Sequence, residues 1–158
     1  MDSTLYLERA ENELELAKIV FKITNEIDLQ EKIFHIKEPL TFFSAVISHS
    51  YYCIFYTAKA YLIKKGIKIP PPEEHKKTYE EFKKFVNKGV LDVELLKIYE
   101  EVMIKADTLL EIFRREKKKR GDFTYQKIPQ ANKEPASNSL KHAKIFFKHI
   151  FNLIKNNP

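Results

Sequence analysis

Apolar residues recur along the chain at alternating steps of three and four, the repeat that lines one face of an α-helix. Leu7, Ala10, Leu14, Ala17 and Phe21 set out the first such stripe, with Glu8, Glu11, Glu15 and Lys18 off it. Thr24-Asn25 weakens the pattern, and Pro39 ends the connector that follows, where residues 28–38 have room for one short turn. Thr41 to Lys65 reads as a second, long helix stopped by Gly66. Leu40 to Ala58 contains no charged residue and approaches the length of a membrane span. However, Ser44, Ser48, His49, Ser50, Tyr51, Tyr52, Tyr56 and Thr57 would each need a polar partner in lipid. The pattern therefore predicts a central helix packed on all sides and no membrane association.

A proline-rich loop, Ile69 to Pro72, leads to a third helix opening at Glu73 or Glu74. His75, Tyr79, Phe82 and Val86 mark its expected buried face, and Lys88-Gly89 closes it. Asp92 is suited to cap a fourth helix, whose stripe reads Leu96, Tyr99, Met103, Ala106, Leu110 and Phe113. The basic stretch Arg114 to Arg120 extends that helix, and Gly121 begins a loop that includes Pro129. Pro135 fits the first turn of a last helix carrying Ala136, Leu140, Ala143, Phe147, Ile150 and Ile154. The expected fold is all-α, an antiparallel up-and-down bundle of about five helices in a single domain over residues 1–158.

Composition agrees with this pattern. Of the 158 residues, 44% are hydrophobic and 32% charged, a globular profile. The 3 glycines are too few for a fold rich in tight hairpins. The single cysteine, Cys53, excludes an internal disulfide and fits a reducing compartment. Met1–Glu15 is polar and acidic, unlike a signal peptide, so a cytoplasmic location is expected. A net charge of +6 permits nucleic-acid binding without requiring it.

Several chemistries find no support in the sequence. It lacks both common glycine-rich phosphate loops and an HExxH pair. His142 and His149 lie seven apart on the last helix, with no carboxylate partner that the sequence identifies, and no metal or other cofactor is expected. His49, within the apolar helix, reads first as a satisfied core histidine. His75, beside the proline loop, reads first as a packing or helix-end residue. A functional role stays open for both. Arg114 to Arg120 is either a solvated helix end complementing the helix dipole or an attractor of phosphates. The sequel Gly121-Asp122-Phe123-Thr124-Tyr125 adds aromatic rings that can stack on unpaired bases. Arg115, Arg120, Asp122 and Tyr125, with His75 as a neighbour, form the candidate nucleotide- or RNA-binding surface.

The stretch from Ser48 to Ala60 resembles the long, tyrosine-rich helix of HEPN proteins. Glu74 to Phe82 is similar to the helix that follows it in that family, which often starts near a histidine. Arg120-Gly121-Asp122-Phe123-Thr124-Tyr125 is similar to an Arg…Asp-Tyr/Phe element of one HEPN branch, and the Ala-Lys-Ile-Phe-Phe stretch of the last helix also fits. The resemblance runs from about Tyr6 to Ile154. It implies a helical bundle, usually a homodimer, in a toxin–antitoxin or other RNA-related system, with a small nucleotidyltransferase, a nucleotide or RNA as partner. Nuclease members place a histidine a few residues after an arginine and cleave RNA without metal. Here Arg114, Arg115 and Arg120 are followed by no histidine before His142. The reading is thus a non-catalytic binding module. The alternatives are a metal-independent ribonuclease that recruits His75 or His49 through folding, and a purely structural helical partner.

Overall fold

The computed structural model describes residues 2–118 and 133–156, the side chains of residues 111–118 excepted. Six helices and no strands occur among the described residues: α1 (Ser3–Asn25), α2 (Ile27–Lys32), α3 (Phe43–Lys64), α4 (Glu74–Asn87), α5 (Val93–Lys118) and α6 (Lys133–Asn156). The sequence left room for α2 only as a short turn in the connector.

Helix boundaries follow local chemistry. Asp2 accepts the Thr4 N–H at 2.9 Å and starts α1, and Asp92 does the same for the Glu94 N–H at 2.9 Å before α5. Gly66, at φ +79°, ends α3, with its own N–H bonded to the Ile63 carbonyl and that of Ile67 to the Leu62 carbonyl. Gly89 closes α4 in the same way. The connector after α1 is held by Gln30, which is almost wholly buried. Its amide donates to the carbonyls of Ile23 and Leu40, and its oxygen accepts the Leu40 N–H, each at 2.9 Å.

Helix α3 is central and contacts α1, α4, α5 and α6. It runs antiparallel to α1: Tyr6 meets Tyr56, Glu13 meets His49, and Phe21 meets Phe43. The helix was expected to be packed on all sides: Val46, Ile47, Cys53, Ile54, Ala58 and Leu62 are buried, but Tyr52 is exposed, so one side of the helix stays open where no other described helix covers it. Burial pushes the Cys53 thiol up to about 12, so it stays protonated and unreactive at neutral pH. No described helix is long and apolar enough to cross a membrane.

Two expected stripes shift by a position. On α5 the buried set is Leu95, Leu96, Tyr99, Val102, Ala106 and Leu109, while Leu110 is exposed and Met103 is only half-buried. The helix packs against α3, α4 and α6 together, so its buried face points between them, where 102 and 109 lie. On α6, Phe146 is buried in place of Phe147, which packs beside Phe151. Phe113 falls among the side chains outside the described set.

The aromatic heart of the bundle joins Phe82, Tyr99 and Phe146, with ring centroids 5.4 to 5.9 Å apart. Tyr99 is fully buried, and its hydroxyl has no hydrogen-bond partner among the described residues. Desolvating an unpaired hydroxyl is unfavourable, so Tyr99→Phe is expected to leave stability unchanged or raise it by up to about 1 kcal/mol. Thermal denaturation checks this; a loss of several degrees would show that the hydroxyl has a partner in solution.

Candidate functional site

One face of α3 carries Tyr51, Tyr52, Phe55, Tyr56 and Lys59, spaced so that all five fall on neighbouring turns. The proline-rich loop then brings the first turn of α4 back over this face. Glu73 takes the left-handed conformation at φ 62°, and α4 opens with Glu74 and His75.

His75 was expected on the buried face of α4. Instead its ring lies on the α3 aromatics and leaves one side to solvent, while Thr78, Phe82 and Val86 form the buried face. The reason is the position of His75 in the first turn, above the edge of α3 and not over the core. The imidazole stacks on Phe55 with centroids 3.9 Å apart and planes 10° apart. It also contacts Tyr51 and, edge-on, Tyr52, each at 5.7 Å.

Burial lowers the His75 pKa below the ordinary histidine value, with Lys59 adding to the effect and Glu74 and Asp107 opposing it. Burial likewise raises the pKa of Tyr51, with Asp107 and Tyr52 contributing, so its phenol stays protonated. The Tyr51 hydroxyl lies 2.9 Å from His75 Nδ1. A phenol is a better donor than a neutral imidazole, so Tyr51 donates to Nδ1 and the ring proton sits on Nε2. The site therefore presents a stacked, neutral imidazole with an N–H donor.

This arrangement has a pH signature. A histidine whose pKa is lowered by folding costs nothing above its unfolded value of about 6.5 and destabilises the fold as pH falls through that value. Wild type is therefore expected to lose more thermal stability than His75→Gln between pH 7.5 and pH 5.5 (experimental conditions set about one unit either side of that value). Equal losses in the two proteins would show that His75 is not held neutral.

The aromatic row continues toward α1. Tyr52 stacks on Tyr56 at 6.2 Å, and the Arg9 guanidinium lies 5.0 Å above the Tyr56 ring. At the other end, Lys59 forms an ion pair with Glu74 and places its ammonium 4.7 Å from the centre of the Tyr6 ring. Burial opposes the Lys59 charge, but hydrogen bonds to Glu74 and Tyr6 outweigh it and raise the pKa above the ordinary lysine value.

Of the residues the sequence singled out, His75 lies in this cluster. Arg115 is on α5, with its side chain outside the described set, and Arg120, Asp122 and Tyr125 lie outside the described residues. Helix α5 reaches the cluster through Asp107, which acts electrostatically on both Tyr51 and His75, and the basic stretch begins two turns further on. His49 is half-buried and bonded to Glu13 at 2.6 Å. His142, read from sequence as lacking a carboxylate, has Glu101 at 3.5 Å. No three metal-ligating side chains gather among the described residues. Sequence reasoning missed Arg9, Lys59 and Glu74 as site residues. The sequence marked α3 as tyrosine-rich, but nothing local placed Arg9 beside those rings.

The protein is a helical bundle whose central helix carries an aromatic face covered in part by a histidine from the next helix. The HEPN domain model matches residues 3–153, nearly the whole chain, and the protein belongs to the HEPN family. No curated protein and no solved structure matches it.

Proposed function

We propose that this HEPN domain is a non-catalytic module that binds unpaired RNA through the aromatic row Tyr52, His75 and Tyr56, with Arg9 at its end. One observation carries the reading: His75 is fixed against Phe55 and Tyr51 beside the exposed ring of Tyr52, so flat surfaces and an N–H donor are preorganised at the surface. Bases stack on such rings whatever their sequence, and Nε2–H and Arg9 supply donors for base or phosphate oxygens. The basic stretch Arg114 to Arg120, with Asp122 and Tyr125 after it, adds the positive field that draws phosphates. The chain acts as a single-domain homodimer in the cytoplasm, within a toxin–antitoxin or related RNA system. A small nucleotidyltransferase is the protein partner proposed, and no cofactor is needed.

Fluorescence anisotropy with a labelled single-stranded oligoribonucleotide tests the proposal. A stacked base contributes roughly 1–3 kcal/mol, so Tyr52→Ala is expected to weaken binding by about 5- to 150-fold. Arg120→Ala is expected to weaken binding and to reduce the slope of log affinity against log salt by about 1. Unchanged affinity in Tyr52→Ala would remove the aromatic row from the interface. Cleavage of the oligonucleotide by the pure protein in the presence of chelator, lost in His75→Ala, would overturn the non-catalytic reading in favour of a ribonuclease.

A further inference from the structure

A cavity of about 310 Å³ opens beside the aromatic row, between the end of α3 and the start of α4. Ile63, Ile67, Ile69 and Pro71 form its apolar walls, and Lys59 and Glu74 line it together. Its volume is at the small end of the roughly 300–1,000 Å³ typical of ligand pockets. We infer that this cavity receives one nucleobase of the bound RNA, its edge read by the Lys59–Glu74 pair and its phosphate held by lysines at the rim. The inference rests on the RNA-binding reading above and assigns a base-sized pocket to it.

Three features of the cavity carry the assignment. First, its walls are apolar, which suits a flat ring whose two faces need no hydrogen bonds. Second, Lys59 and Glu74 set a donor beside an acceptor. The ammonium has bonds to Glu74 and Tyr6 and a further N–H to give, while Glu74 is partly open to solvent and has its second oxygen to accept with. The hydrogen-bonding edge of a nucleobase likewise sets an acceptor beside a donor. Third, the two chain segments that frame the cavity carry Lys64, Lys65, Lys68, Lys76 and Lys77 against Glu73 and Glu74. This local excess of positive charge favours a phosphate near the cavity. Lys68 itself lines the cavity, and Lys77 donates to the Pro70 carbonyl at 3.2 Å, which stiffens the loop that makes one wall.

An anionic amphiphile with an alkyl tail fits less well. Its tail would lie against the Lys59–Glu74 pair and desolvate it without offering a hydrogen bond. Its head, placed on Lys59 instead, would meet the negative charge of Glu74.

The same cavity lies next to His75 through Glu74, and Lys59 lies 5.9 Å from the centre of the Phe55 ring on which His75 stacks. A strand that stacks bases on Tyr52 and His75 is therefore close to residues that line the cavity.

Titrating the full chain, isotope-labelled at isoleucine methyls, with each common ribonucleoside monophosphate tests the assignment by NMR. Saturable shifts at Ile63, Ile67 and Ile69 are expected with at least one nucleotide, and binding several-fold weaker for the matching nucleoside, which lacks the phosphate. Ile67→Trp fills the cavity and is expected to weaken nucleotide binding at least tenfold. Lys68→Ala, at an exposed position that leaves the fold intact, is expected to weaken the nucleotide several-fold and leave the nucleoside unchanged. Shifts produced by octanoate and by no nucleotide would overturn the assignment in favour of an amphiphile. Shifts at the rim with inorganic phosphate, but none at the isoleucine methyls with any nucleotide, would overturn the base pocket. If oligoribonucleotide binding still depends on Tyr52 in that case, the pocket alone has failed. If the oligonucleotide does not bind at all, the RNA-binding reading has failed with it.

Discussion

Phe82→Ala is expected to destabilise the protein by about 3–5 kcal/mol, the usual loss when a fully buried phenylalanine is truncated. Phe82 is 0% exposed and is the ring through which four helices meet. It contacts Tyr61 of α3, Tyr99 of α5 and Phe146 of α6 from its own place on α4. Its removal leaves a cavity that these rings cannot close without moving their backbones, so the loss should fall at the upper part of that range. A globular domain is stable by only about 5–15 kcal/mol, so the variant is expected to unfold at much lower urea concentration. Phe82→Leu, which restores most of the volume, should recover more than half of the loss. A shift below about 1 kcal/mol for the alanine variant would mean that the aromatic cluster is not the centre of the core.

The second large effect concerns Lys59 and Glu74, and it is asymmetric. The Lys59 side chain is 5% exposed, whereas that of Glu74 is 35% exposed. Removing the carboxylate strands a nearly buried ammonium, while removing the ammonium leaves a carboxylate that water can reach. Breaking a wholly buried pair costs roughly 3–5 kcal/mol. Because Glu74 is partly solvated, about 2–3 kcal/mol is expected for Glu74→Ala. Lys59→Met puts an apolar side chain of similar length beside the Tyr6 and Phe55 rings, and is expected to cost less than about 1.5 kcal/mol. Urea denaturation of the two variants checks the order. Equal costs, or a larger one for Lys59→Met, would show that the ammonium is well hydrated in the folded protein.

These two experiments probe features that differ in how far the sequence disclosed them. The stripe Leu7, Ala10, Leu14 and Ala17 predicted α1 and its buried face because a helix repeats its face every three or four residues, whatever it packs against. Gly66 and Asp92 predicted helix boundaries for equally local reasons, since a left-handed cap needs no side chain and an aspartate can bond the first free N–H groups. The charge-free run before Lys59 announced a helix with neighbours on several sides.

Positions that depend on the neighbours themselves were not legible in this way. On α5, Leu109 and Leu110 are equally apolar, and only the combined packing of α3, α4 and α6 decides that the first is buried and the second exposed. Gln30 reads as an ordinary polar residue of a connector until the chain folds back and offers it the backbone of Leu40.

The candidate site divides along the same line. The sequence by itself determined a tyrosine-rich helix, a histidine just after a proline loop, and a basic stretch, and the order of these elements resembled the HEPN family. Only the tertiary structure stacked His75 on Phe55, bonded it to Tyr51, and set Arg9 from α1 at the end of the same row. The physical reason is range. Helical periodicity and capping act over a few residues and are written in local spacing. The low pKa of His75 and the pairing of Lys59 with Glu74 arise from desolvation and from charges on three different helices, and these quantities exist only once the helices have packed.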